Sequence, residues 1–220
     1  MASQAFIDDS LSPAVRGFIH RPECAADSGL VLAHGAGSNS NSSLLVTTAA
    51  AFAGAGLVVL RCNLPFRQAR PYGPPRPGDA ERDRDGLRNT VAVLRNLGCK
   101  RIFLGGHSYG GRQATMLCAE EPNLSVGMLL LSYPLHPPRK PVQLRVKHLP
   151  ELRVPALFVH GTRDPFGTIE EMGAALKMIP AKTELLRVDG AGHDLGFKGK
   201  ATPAELVGEV VQAFEQFFGE

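Results

Sequence analysis

The chain has 220 residues, 44% apolar and 20% charged, a balance that suits one globular domain with a substantial core. A net charge of +3 gives no global pull toward nucleic acid, and 6% aromatics with no tryptophan gives no broad stacking surface. The four cysteines (Cys24, Cys62, Cys99 and Cys118) have no C-x-x-C spacing, which argues against a metal knuckle or thioredoxin-type motif.

In chain order, residues 1–10 are acidic, with no basic stretch ahead of an apolar one, so no secretory signal is read and a cytoplasmic location is expected. Residues 30–33 read as a buried strand, followed by a Gly/Ser/Asn loop and a helix over 43–55. The next strand spans 57–60. The apolar stretch 44–60 is broken by Gly54 and Gly56 and carries two threonines, so it reads as helix then strand, not as a membrane span. Residues 65–79, rich in Pro, Gly and Arg, read as a loop. An amphipathic helix follows over 80–97, with Leu87, Val91 and Leu94 at helical spacing.

Beyond it come a strand over 101–105, a helix over 113–121, and strands over 126–131 and 156–159. A helix over 169–178, a strand over 184–188 and a helix over 203–218 complete the chain. Near-continuous apolar strands alternating with helices predict an α/β domain over residues 1–220, its mostly parallel sheet covered on both faces. In such sheets the chemistry gathers at the carboxyl ends of the strands.

Four loops at predicted strand ends carry candidate chemistry. After 101–105 comes Gly106-His107-Ser108-Tyr109-Gly110, a G-x-S-x-G turn that holds a serine hydroxyl clear of the sheet. A serine hydroxyl needs a base, an orienting acid and an oxyanion site to act as a nucleophile. After 30–33 comes His34-Gly35-Ala36-Gly37, whose small residues let amides turn toward one point. The Ala36 amide, with Gly35 or Gly37 as alternatives, is expected to join the Tyr109 amide in an oxyanion hole; the competing reading of this loop is a plain turn. After 156–159 comes a loop holding Asp164 before Pro165, either an acid that steadies an imidazole or a turn aspartate. After 184–188 comes Asp189-Gly190-Ala191-Gly192-His193, and His193 is the only histidine after Asp164. Asp189 is the alternative acid. His107 is read as turned away from the chemistry, and His160 as a buried residue at a strand end.

These pieces in this order resemble the α/β-hydrolase family, specifically its small, capless dienelactone-hydrolase-like members. The resemblance runs from about Leu30 to the end of the chain. It implies Ser108 as nucleophile, His193 as base, Asp164 as orienting acid, and the Ala36 and Tyr109 amides as oxyanion hole. Dienelactone hydrolases carry cysteine at the nucleophile position, so Ser108 is a departure and a dienelactone substrate is not implied.

The segment 135–154 is short and proline-broken, too small for a separate lid, so an open or shallow site is expected. Phe66, His136 and Phe166 are candidate substrate-binding residues. Arg67, Arg70 and Arg76, with Arg139, Lys140, Arg145, Lys147 and His148, lie in loops after strand ends. They are read either as a solvated basic rim or as holders of a substrate carboxylate or phosphate. The expected function is hydrolysis of a small ester, thioester, lactone or amide through an acyl-enzyme, without metal or organic cofactor. Acyl transfer to another acceptor would use the same groups. The reading from another class is a non-catalytic scaffold of this fold that binds a partner.

Overall fold

The computed structural model describes residues 3–197 and 204–219. Eight strands form one sheet: β1 (Ser3–Asp8), β2 (Val15–His20), β3 (Ser28–Ala33), β4 (Val58–Cys62), β5 (Arg101–His107), β6 (Gly127–Leu131), β7 (Ala156–Gly161) and β8 (Thr183–Val188). Their order is β1-β2-β4-β3-β5-β6-β7-β8. β1 pairs antiparallel with β2, and β2 with β4; the strands from β4 to β8 are parallel to their neighbours. The carboxyl ends of β3, β5, β7 and β8 therefore lie along one edge of the sheet.

The α-helices among the described residues are α1 (Ser43–Gly54), α2 (Pro65–Ala69), α3 (Asp79–Asn96), α4 (Tyr109–Glu120), α5 (Ile169–Leu176) and α6 (Ala204–Phe218). Strand side chains alternate between faces, so a strand covered on both sides must be apolar at every position. On β3, Leu30 and Leu32 join Phe52 of α1 and Phe214 of α6 in one apolar layer. Val31 and Ala33 join Leu87 and Leu94 of α3, Leu117 of α4 and Met172 of α5 in the other. No described helix is long and apolar enough to cross a membrane.

The expected strands from 30–33 onward correspond to β3–β8. Three expectations are corrected. Residues 3–20 form the antiparallel pair β1–β2, where no strand was predicted; β1 is an edge strand with mostly exposed side chains, so it has no apolar run to read. The predicted loop 65–79 contains the short helix α2, started by Pro65 at its first position. Helix α4 begins at Tyr109 rather than Gln113. Pro203, the expected first residue of the last helix, lies outside the described residues. Residues 132–155 contain only a short 3-10 turn at Leu149–Glu151 among the segments between β6 and β7, and form no cap domain.

Candidate active site

Ser108 caps α4 with φ 51° and ψ −116°, a conformation side chains rarely adopt, held by its neighbours. A Cβ on Gly106 would lie 2.3 Å from the Ala33 carbonyl oxygen, and one on Gly110 would lie 2.6 Å from that of His34. The turn between β5 and α4 thus presses against the end of β3, and only glycine permits it. It also brings Ser108 beside the loop after β3.

Three distant side chains meet here. The Ser108 hydroxyl donates to His193 Nε2 at 2.8 Å. His193 Nδ1–H donates to Asp164 Oδ2, also at 2.8 Å. The facing carboxylate requires the proton on Nδ1, which leaves Nε2 free to accept. Asp164 is buried, and its other oxygen accepts the Phe166 amide at 2.9 Å, which fixes the carboxylate plane. Phe166 stacks on the His193 ring at a centroid distance of 4.0 Å. Asp189, the alternative acid, sits at an exposed turn and makes no described contact with His193.

The loop after β3 is tied down from several sides. His34 Nδ1–H donates to the Gly35 carbonyl at 2.8 Å, and its Nε2 accepts the Leu64 amide at 3.1 Å. Burial pushes His34 down to about 4, so the ring stays neutral and keeps this donor–acceptor pattern. Arg67, in the middle of α2, donates to the carbonyls of Ala36 (2.9 Å), Ser38 (2.8 Å), Gly73 (3.0 Å) and Arg70 (3.3 Å). From the sheet, buried Arg61 donates to the Ser40 carbonyl and to His20 Nε2. The Ala36 and Tyr109 amides donate to no described protein acceptor, and both residues line the cavity beside Ser108. Tyr109 is anchored through its hydroxyl to buried Asp83 at 2.7 Å, and Asp83 also accepts the Phe66 amide at 3.0 Å.

The cavity over Ser108 measures about 860 Å³, near the upper end for small-molecule sites. Its walls include Pro74 and Pro75 from the segment after α2, Pro134 from the segment after β6, and Pro165.

Of the candidate substrate-binding residues, Phe166 lines the cavity, whereas Phe66 and His136 do not. Phe66 sits in the first turn of α2, which turns its ring inward between His34 (5.5 Å) and Tyr109 (5.7 Å). His136 is buried, donating through Nδ1 to the Pro137 carbonyl at 2.8 Å and facing Glu171 at 3.3 Å. His107, read as turned away, donates its Nε2 proton to the His193 carbonyl at 2.8 Å. His160 is buried and donates to the Gly167 carbonyl at 2.9 Å, behind Asp164. Arg112 lines the cavity although the sequence reading passed over it, hidden among ordinary helix-surface arginines. Among the described residues no group of His, Cys, Asp and Glu has a metal-holding arrangement.

Residues 26–219 match the family described as alpha/beta hydrolase domain. Solved structures share the fold at low identity. The dienelactone hydrolase of Anabaena variabilis is 20% identical over 99% of this chain and 96% of that one, with a TM-score of 0.73. A serine hydrolase without a lid from Xanthomonas campestris is 14% identical, over 100% and 97%, with a TM-score of 0.74. Est1E from Butyrivibrio proteoclasticus is 18% identical, over 98% of both chains, with a TM-score of 0.73, and it has also been solved with ferulic acid bound.

Proposed function

The chain belongs to the alpha/beta hydrolase family, and from that premise we propose that it is a serine hydrolase cleaving a small ester, thioester, lactone or amide through an acyl-enzyme. The observation that carries this reading is the unbroken relay from Ser108 Oγ to His193 to Asp164, with both hydrogen bonds at 2.8 Å.

In this mechanism Ser108 Oγ attacks the substrate carbonyl carbon while His193 Nε2 takes the hydroxyl proton. Asp164 stabilises the resulting imidazolium and keeps its orientation. The carbonyl oxygen, now negative, accepts from the Ala36 and Tyr109 amides; one such donor is typically worth roughly 3 kcal/mol in the transition state. His193 returns the proton to the leaving group as the tetrahedral intermediate collapses. It then takes a proton from water as the water oxygen attacks the acyl carbon, and passes that proton to Ser108 Oγ as the second tetrahedral intermediate collapses, releasing the acid and the free serine. The cavity volume and the bound ferulic acid of Est1E support a small-molecule substrate. The absence of a cap domain supports an acyl group that does not need deep apolar burial.

The test is Ser108→Ala on an activated short-chain ester, with a fluorophosphonate probe alongside. Turnover and labelling are both expected to vanish. A variant that keeps most of the wild-type rate would overturn the mechanism.

A further inference from the structure

We propose that Arg112 and Arg145 form an anion-binding subsite in the Ser108 cavity, so that the preferred substrate carries a carboxylate or phosphate away from its scissile carbonyl. The proposal rests on the hydrolase reading above and narrows its substrate class.

Both arginines line the cavity that contains Ser108 and His193. Arg112 lies one helical turn beyond the serine, its amide donating to the Ser108 carbonyl at 2.9 Å. Residues four apart share a helix face, so α4 presents its guanidinium on the nucleophile's side. Arg145 reaches the cavity from the segment between β6 and β7. Its backbone is fixed at both ends: its amide donates to the Leu135 carbonyl at 2.7 Å, and its carbonyl accepts from buried Tyr133 at 2.7 Å. An arginine whose main chain is held this way is positioned before any ligand arrives.

What sets this pair apart is that its members line the Ser108 cavity without a carboxylate bonded to either guanidinium among the described residues. Arg16, Arg70, Arg84 and Arg88 each meet a carboxylate, and Arg61 and Arg67 are occupied by carbonyl oxygens. Neither Arg112 nor Arg145 has an ion-pair partner among the described residues. The Arg145 guanidinium has one hydrogen bond, to the Pro134 carbonyl at 3.2 Å. Arg112 Nε is buried with no hydrogen-bond partner. Asp194, a carboxylate of the cavity wall, accepts from the Gly196 amide at 3.2 Å in the His193 loop.

The two guanidiniums also act on one another. Arg145 is pushed down from its ordinary value, first by burial and then by the Arg112 charge. Two partly buried like charges on one wall are unfavourable, and an oxyanion between them turns repulsion into charge-assisted hydrogen bonds. Guanidinium is suited to this role because its planar fork matches carboxylate and phosphate oxygens. The other basic groups singled out in the sequence do not compete. Arg67 and Arg70 are engaged within the fold, and Arg76, Arg139, Lys140 and Lys147 are exposed and outside the cavity lining. His148 bonds Thr115, and burial keeps it neutral.

The experiment compares kcat/KM of the whole protein for p-nitrophenyl butyrate, mono-p-nitrophenyl glutarate, and an ester with phosphate in its alcohol part. At least one anionic ester is expected to be preferred roughly tenfold or more, with the preference shrinking in about 0.5 M salt. In Arg112→Gln and Arg145→Gln the anionic-to-neutral ratio is expected to fall at least about fivefold. A readout independent of variant folding uses the wild type alone: glutarate or inorganic phosphate competes with the neutral ester, and butyramide competes at least about tenfold more weakly. Neutral turnover with no anionic preference and no such competition overturns the subsite but leaves the hydrolase reading intact. A preference that survives both substitutions in folded variants also overturns it. No turnover of any ester and no labelling of Ser108 overturns the hydrolase reading, and the subsite with it.

Discussion

His107 donates its Nε2 proton to the main-chain carbonyl of His193 across 2.8 Å. The residue beside Ser108 therefore grips the loop that carries the His193 imidazole. Burial pushes His107 down to about 4, so the ring is neutral and its donor is constant through the working pH range. The two rings lie 5.1 Å apart at their centroids, which gives the contact an apolar side as well.

Removing that grip should misplace the base without touching the serine. His107→Ala is expected to lower kcat on a short-chain ester by about 10- to 100-fold, with KM changing less than about threefold. His107→Gln, which returns an N–H near the Nε2 position, is expected to recover most of the loss. Equal defects in the two variants would show that the hydrogen bond does not position His193.

The carboxylate acts on the proton pattern of the imidazole. Asp164→Asn keeps an oxygen for the Phe166 amide and so turns its NH₂ toward Nδ1, which must then accept, leaving the imidazole proton on Nε2 where it cannot take the Ser108 proton. The expected loss in kcat is on the order of 10³ to 10⁴ with the fold unchanged by circular dichroism. A loss under about tenfold would assign the acid role elsewhere.

Arg67 binds four carbonyls, two of them in the loop that bears the Ala36 amide. Arg67→Met leaves those oxygens unpaired around a mostly buried position. We expect about 2–4 kcal/mol less stability in urea unfolding and about 10- to 100-fold slower acylation by a fluorophosphonate. Stability loss with an unchanged acylation rate would separate the brace from the oxyanion site.

Acid should unfold this protein through its buried histidines. His34, His107 and His148 are each lowered to about 4, chiefly by burial. The unfolded chain binds a proton at each near pH 6.5, so between about 6.5 and 4 it holds more protons than the folded chain. Stability therefore rises with pH through that window and falls as pH drops, by up to about 1.4 kcal/mol per unit for each histidine. The melting temperature should decline steadily from pH 7 to pH 4.5, with a shallower slope in His107→Gln. A flat profile would contradict the burial of these rings as neutral groups.

The parallel strands were legible because burial on both faces demands unbroken apolar runs, as at residues 30–33 and 156–159. The edge strand β1 had no such demand on it and left no pattern. The start of α4 was missed because Tyr109-Gly110-Gly111 is a poor helix opening by propensity; contact with the end of β3 decides it, since Gly110 is the only residue type that fits 2.6 Å from the His34 carbonyl. That Ser108, Asp164 and His193 would lie in turns past strand ends on one edge of the sheet was legible from turn chemistry, and their side chains do meet there. Which aromatic faces the cavity was not, because a loop reading of 65–79 gives no direction to Phe66, and α2 turns it inward. Nor could local pattern tell Arg112 from Arg84, whose acidic partner Glu120 lies far along the chain.

β8 borders the sheet with a single neighbouring strand, and His193 hangs from the loop that follows it. Ser108, by contrast, follows β5, sheltered in the middle of the sheet. The assembly thus joins a sturdy half to a frail one. On heating, the margin at β8 should loosen while the interior strands stay paired, so esterase turnover should cease several degrees before circular dichroism registers melting.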